Sequence, residues 1–455
     1  MDCWTRPFCN CLYGGSEFGD TILTLQAERN PDGTHPVAIK GATLIDGTGA
    51  EPIPDSCIVI ENGKVSAVGR LSDTDIPAGA ETLDARGMFA LPGLIDSHLH
   101  LAGMATDNFL YEGMVVPAGV KLLRAAVDAR KLLEAGFTTV KDCGGINAVH
   151  LRRAISEGSI EGPEIIPAGY PLSQTFGHGD SHFQPIEFVD ARTSRVGESL
   201  LCDGKEECIK AARYAFREGA MFIKVMASGG VLSERDRPEH WQFSVDELRA
   251  IVDVAGSVGS FVTAHCQSTQ GMHNSIDAGV KTVDHAFFPD EWVIDQGIKR
   301  GTIFVPTLSI MMRINEGGVA AGFPEWGVRK CSECTPEVIK NIRKLRDAGC
   351  ILAAGTDFAG SKLTEMGTNA LELELLVRLC GYSPSDALVA ATKNAAAACG
   401  LSESKGTLKA GKDADLIIVA RNPLKDISAL QDLENIKLVA KKGVIKVNRG
   451  VKLGI

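Results

Sequence analysis

Leu91-Pro-Gly-Leu-Ile-Asp-Ser-His-Leu-His-Leu-Ala102 is the stretch on which the fold turns. An apolar run and a Pro-Gly break lead into His98-x-His100, which reads as a buried strand ending in two imidazoles. Side chains two apart on a strand share a face, so His98 and His100 point the same way. Two neutral histidines begin a zinc site without completing it, because a tetrahedral or larger site needs more ligands. The other ligands must come from elsewhere in the chain.

Downstream of His100, short apolar, β-rich segments alternate with helical ones. Strands are predicted at 138–142, 164–168, 221–226, 261–265, 282–285, 303–307 and 351–357, which with the opening stretch makes eight. Helices are predicted between them, among others at 120–135, 205–218, 244–258 and 335–348. Ser244-Val-Asp-Glu247 has the form of a capping box, and Thr335-Pro336 puts proline at a first helical position. Eight βα units over roughly 300 residues suggest a (β/α)8 barrel, and continuous apolar strands fit burial on both faces.

Working outward, 37–45, 56–61 and 64–69 read as short strands, with Asp46-Gly47 and Asn62-Gly63 as turns. Two helices, at about 368–380 and 384–399, follow the eighth barrel strand; strands are expected again within 406–419 and 436–447. The expected fold class is α/β: a TIM barrel with a small β-sandwich domain built from both chain ends. The expected division is an N-terminal tail (1–35), a first part of the small domain (36–90), the barrel (91–404) and the second part (405–455).

The 455 residues are 44% hydrophobic, enough to bury a large core. Lys and Arg total 47 against 57 for Asp and Glu, a net charge of -10 with no basic run, so no nucleic-acid partner is expected. No stretch approaches about 18 consecutive apolar residues, so no membrane span is expected. The first residues lack the basic-then-apolar order of a signal peptide, and thirteen scattered cysteines read as reduced thiols of a cytoplasmic protein. Cys3, Cys9 and Cys11, and the pair Cys331-x-x-Cys334, lack a matching second half at zinc spacing.

In a barrel, chemistry sits where strands end. Those ends carry His98, His100, Lys224, His265, His285 and Asp357. Each alone has a plain structural role open to it; their conjunction points to a metal centre. Lys224 is the informative member, because a cationic ammonium cannot ligate a cation and is costly to bury beside one. It fits if CO2 adds to the neutral amine and gives an anionic carbamate.

This pattern resembles the amidohydrolase superfamily, over nearly everything from about residue 36 to 450 and position by position in the metal motifs. The resemblance implies one buried metal on His98, His100 and Asp357 and a more exposed one on His265 and His285. Carboxylated Lys224 and a hydroxide would bridge them. Two divalent ions are implied, zinc first, with manganese or cobalt compatible with the same ligand types. The implied enzyme is a dinuclear hydrolase of carbon–nitrogen bonds, in which the bridging hydroxide attacks and Asp357 moves the proton to the leaving nitrogen.

Glu161-Gly-Pro163, Leu172-Ser-Gln-Thr175, Gly177-His-Gly-Asp180, Ile223-Lys-Val-Met-Ala-Ser-Gly-Gly230 and Val305-Pro-Thr307 narrow the likeness. They are similar to the imidazolonepropionase-related branch that contains prolidase-like dipeptidases and ochratoxinase. Lys224 sets the chain apart from that branch's members with one metal. His178 matches a position that holds substrate, and Gln267 stands where prolidase-like members often carry tyrosine. Arg235 and Arg237, in the loop after the fourth strand, are candidates to bind a substrate carboxylate, and Phe176 and Trp241 to line an aromatic pocket. The expected substrate is a small amide such as a dipeptide or N-acyl amino acid. The alternatives are an aryl amide, phenylurea or carbamate, or a metal-free protein used for assembly. By analogy with the family, a homo-oligomer is expected.

Overall fold

The computed structural model of the protein describes residues 35–453 apart from residue 195; the N-terminal cysteines therefore lie outside the described residues. Asn62 and Gly63 take φ of 52° and 73°, the two left-handed positions of a tight hairpin turn. They join Ile53–Glu61 to Lys64–Arg70, with Glu61 opposite Lys64. Val37–Leu44 pairs with the first of these, then with Glu81–Asp84 and Phe89–Pro92 along its other edge.

The C-terminal segment returns to the same sheet. Leu416–Val419 runs antiparallel to Phe89–Pro92, and Ile436–Lys441 and Val444–Asn448 extend the sheet outward. Lys452–Leu453 adds to Glu81–Asp84, so nine strands from both ends of the described chain form one hydrogen-bonded sheet. Ile39, Ile58, Ile60, Leu83, Leu416, Ile418 and Leu438 build its apolar core. Within 406–419 only Leu416–Val419 is strand; the residues before it run as turns.

Gly93 carries the chain from this sheet into the next layer, and a Cβ there would overlap the Thr138 side chain. Leu94–Leu99, Phe137–Asp142 and Glu164–Pro167 form a parallel three-stranded sheet. Ile223–Met226, Val262–Cys266, Thr282–His285, Ile303–Val305 and Ile351–Leu352 run parallel in a second sheet, extended at one edge by Leu172–Ser173 and Leu200–Leu201. Beyond Leu352 the predicted eighth strand leaves the ladder, but its backbone still pairs with the opening strand. Ser97 N donates to Ala354 O (2.9 Å), Asp357 N to His98 O (2.7 Å) and His100 N to Phe358 O (2.8 Å). On the other side Met221 N reaches Pro167 O at 2.8 Å. A Cβ on Gly355 would fall 2.8 Å from His98 Cβ, so this close approach requires glycine.

Helices Ala118–Glu134, Gly204–Arg217 and Val245–Ser257 follow the predicted periods, and Ser244 and Glu247 form both bonds of the capping box. The expected helix start at Thr335-Pro336 is corrected: one helix runs Glu325–Asp347 with Pro336 inside it. Cys331, Cys334, Val338, Ile342 and Leu345 bury one continuous face, and that packing outweighs an interior proline's cost of about 3 kcal/mol. Thr335 Oγ1 donates to Cys331 O at 2.7 Å within the same turn.

Asp128, on helix Ala118–Glu134, supports the segment that follows Asp357. Its buried Oδ2 has no hydrogen-bond partner, and a Cβ on Gly360 would overlap it. Burial pushes its carboxyl up to about 7, against the nearby Lys131 ammonium and with the Glu365 carboxylate. A folded-state pKa above the unfolded value near 3.9 makes ionisation costly to the fold, so stability falls as pH rises from about 4 through 7. Asp128→Asn is therefore expected to raise the urea midpoint at pH 8 and to leave it nearly unchanged at pH 4.

Candidate metal centre

The six strand-end residues converge. His98 and His100 ring centroids lie 5.5 Å apart, His98 and His285 5.0 Å, and His285 and His265 4.5 Å. Asp357 Oδ1 sits 3.1 Å from His100 Nε2 and 3.4 Å from His98 Nε2. One donor atom each from His98, His285 and Asp357 falls within 4.8 Å of the others, so His285 groups with His98 and Asp357 as well as with His265. Lys224 joins through a carboxylate absent from the expected set: its Nζ lies 2.8 Å from Asp284 Oδ2, which is 2.9 Å from His98 Nδ1. Lys224 and His98 have 1% exposed side chains, whereas His100 and Asp357 retain 27% and 21% and mark the open end.

Three of the four imidazoles are held from outside. His100 Nδ1 meets Gly144 O at 3.0 Å, His285 Nδ1 meets Thr307 Oγ1 at 2.7 Å and His265 Nε2 meets Gly229 O at 3.2 Å. One ring nitrogen is thereby engaged and the other left for the centre, the usual support of metal-ligating histidines. Asp96 clamps the two chain segments that carry His98 and Asp357. It accepts from His98 N (3.0 Å), Thr356 Oγ1 (2.7 Å) and Asn369 Nδ2 (2.8 Å). His285, Ala286, Thr307 and Asp357 all take positive φ, between 48° and 72°. Such non-glycine backbone costs of order 1–3 kcal/mol per residue and gathers at functional sites.

The centre divides into two neutral rings, His265 and His285, and two rings beside Asp357, His98 and His100, whose pKa is raised despite burial. Burial drives His265 and His285 well below the ordinary imidazole range, so both are neutral and keep lone pairs. Burial pushes the Asp357 carboxyl up, but His98 and His100 outweigh it and hold it well below the usual carboxylate range. Burial also opposes a charge on Lys224, yet Asp284 above all keeps its ammonium above its ordinary value. Imidazoles, an ionised carboxylate and a buried lysine are the side chains that a divalent-metal site with a lysine carbamate uses, with protons on His98, His100 and Lys224 released as the ions bind, so the residues fit the group.

Beneath this layer Lys141 is buried and donates to Thr263 Oγ1 (3.2 Å) and Thr282 Oγ1 (3.3 Å); Thr282 Oγ1 in turn bonds Asp284 Oδ1 at 3.1 Å. Cys143 also stands close, with its Sγ 3.9 Å from Asp284 Oδ2. None of Asp96, Lys141, Cys143 and Asp284 was among the expected site residues. Asp96, Lys141 and Cys143 are polar positions within or just past predicted barrel strands, a signal that an inward-facing reading of those strands would have used.

His178 stacks on His265 at 4.1 Å, extending the row of rings beyond His265. Gln267 is buried nearby in sequence, its backbone N–H on Ser228 Oγ (2.7 Å) and its Oε1 without a hydrogen-bond partner. Arg235 and Arg237 are exposed and face Glu234 (3.7 Å) and Glu239 (3.4 Å). Phe176 and Trp241 are about half exposed, and Phe176 stacks on His182 at 5.1 Å. Cys331 and Cys334 are buried free thiols, pushed up by burial to about 12 and about 11. Among the described residues no helix is long and apolar enough to cross a membrane.

The amidohydrolase family's sequence profile matches residues 89–446. Ochratoxinase from Aspergillus niger is 32% identical over 456 aligned positions, spanning 94% of this chain and 92% of that protein. Imidazolonepropionase from Symbiobacterium thermophilum is 25% identical, over 88% and 92%. Among solved structures, a Xaa-Pro dipeptidase with methionine bound in its active site superposes with a TM-score of 0.81 at 30% identity, over 91% of this chain and 100% of that one. The A. niger ochratoxinase structure gives 0.82 at 30% identity, over 91% and 96%. With a profile spanning most of its length and strand-end residues meeting at one centre, the chain belongs to the amidohydrolase family.

Proposed function

We propose that this protein is a dinuclear metal-dependent hydrolase of a carbon–nitrogen bond in a small amide, a dipeptide or an N-acyl amino acid. The two parallel sheets are read as walls of one (β/α)8 barrel. The observation that carries the reading is the convergence of His98, His100, His265, His285 and Asp357 around a buried lysine. Those residues would hold two divalent ions, zinc first, with Lys224 carboxylated between them. Carboxylation takes one proton from the ammonium and releases a second as CO2 adds to the neutral amine, turning a cation into an anionic ligand. When bound, the ions supply a nucleophile at neutral pH and a Lewis acid for the carbonyl.

The chain's own contributions follow from geometry. Asp357, ionised and at the open end, is placed to take a proton on a carboxylate oxygen and deliver it to the leaving nitrogen. His178, stacked on His265, is read as the substrate-binding side chain, and buried Gln267 keeps an unused acceptor in Oε1. Burial of Lys224 and His98 keeps water from the floor of the site.

A second reading, an aryl amide, phenylurea or carbamate substrate, draws support from Arg235 and Arg237. Their nearest charges are neighbouring glutamates, which weakens both as anchors for a substrate carboxylate. Purified protein is expected to carry about two metal ions per subunit by elemental analysis, the stoichiometry of a bridged pair. It is expected to turn over some members of a panel of Xaa-Pro and other dipeptides and N-acyl amino acids. Turnover of phenylureas alone would favour the second reading. No metal after metal-supplemented expression would overturn both in favour of an assembly role.

A further inference from the structure

Lys330 lies on helix Glu325–Asp347, yet its ammonium is buried inside the loop that follows the fourth barrel strand. Nζ donates to the carbonyls of Gly230 (3.3 Å), Ser233 (2.8 Å) and Asp236, and stands 4.0 Å from Asp236 Oδ1. An ammonium has three protons, and all three are used on this loop. One turn earlier, Trp326 Nε1 donates to Leu232 O at 3.3 Å. The loop's ends are pinched by a Ser228–Trp241 bridge and by Gln242 N donating to Ala227 O (2.8 Å).

Inside the loop, the Asp236 carboxylate accepts from Gly230 N (3.2 Å), Gln242 Nε2 (3.0 Å) and Ser233 Oγ. The other oxygen near Ser233 Oγ is Gly230 O at 3.3 Å, which also only accepts. The Ser233 hydroxyl proton is therefore committed, and its oxygen is left to accept. Its remaining neighbour is His178 Nδ1 at 2.9 Å, so that nitrogen carries the proton. Gln242 Oε1 fixes the same residue's backbone by accepting from His178 N at 2.9 Å. A Cβ on Gly230 would overlap the His178 ring, so the loop lies directly against the imidazole.

We propose that Lys330 is a positioning residue that acts through Asp236 and Ser233 to hold the His178 ring by its Nδ1–H, stacked on His265. His178 Nε2 makes no hydrogen bond to the described residues and is left for the substrate.

Two measurements test this, and only the second rests on the hydrolase reading. In the 15N-histidine-labelled full chain, with His178 assigned by its loss in His178→Gln, nitrogen NMR is expected to show a protonated Nδ1. An unprotonated Nδ1 overturns the proposal whatever the activity. On any substrate the wild type hydrolyses, Lys330→Met is expected to lower kcat/KM at least about tenfold, chiefly through KM, with metal content unchanged. In the His178→Gln background the same substitution is expected to have no further effect. An equal loss in both backgrounds would make Lys330 a mere support of the fold and overturn the proposal. Should Lys330→Met fail to fold, Ser233→Ala removes the acceptor alone and is expected to show the same dependence on His178. Absence of any turnover would end the hydrolase reading while the NMR result still decides the Nδ1 proton.

Discussion

Lys224→Ala is expected to purify without metal and to lose at least a hundred- to a thousandfold in kcat/KM, on the order of removing a major electrostatic contributor to catalysis. The side chain is 1% exposed, and its Nζ lies 2.8 Å from the Asp284 carboxylate that also contacts His98. The substitution also separates two roles that geometry alone leaves superimposed. If Lys224 is a carbamate ligand, what is lost is an anion, and acetate or propionate should restore part of the metal content and activity. If it is only the counter-cation of Asp284, a short alkylammonium should restore function and carboxylates should not. Full activity in Lys224→Ala would remove lysine from the centre altogether.

Much of this architecture was legible in local sequence, for reasons particular to each feature. Asn62-Gly63 needed two left-handed residues in a row, which few pairs tolerate. Ser244-Val-Asp-Glu247 announced a helix start because both partners of the reciprocal bond are encoded within four residues. His98-x-His100 was read from strand alternation, and the rings do lie side by side. Asp284 escaped the same rule. Neighbours on a strand point to opposite faces, so a carboxylate next to His285 would not be expected to share its site. His285 and Ala286 break the strand with φ of 72° and 48°, and the Asp284 and His285 side chains converge on His98. Lys330 was out of reach for a different reason. Its partners are about 100 residues away, on a loop whose carbonyls no local pattern marks as acceptors.

Asp284→Ala is expected to be the most damaging single change to stability. The carboxylate is fully buried, with Lys224, His98 and Thr282 in direct contact and Lys141 one hydroxyl away. Burial pushes its carboxyl up, but Lys224, Lys141 and His98 outweigh that and hold it well below the usual carboxylate range. Removing it leaves buried ammonium groups uncompensated, a loss of about 3–5 kcal/mol. That loss should appear as a lower urea midpoint at unchanged slope. Metal affinity should fall as well, by about 10- to 100-fold, because His98 loses the group that orients its Nδ1. The two effects respond differently to loading. In metal-free protein Lys224 is an ammonium and Asp284 its partner; once carboxylated, Lys224 no longer needs that charge. The destabilisation measured against wild type should therefore be larger after metal is stripped and CO2 excluded than in the loaded enzyme at the same pH. Equal destabilisation in the two states would mean that Lys224 keeps its ammonium throughout, and the carbamate would have to be abandoned even if the histidines still bound metal.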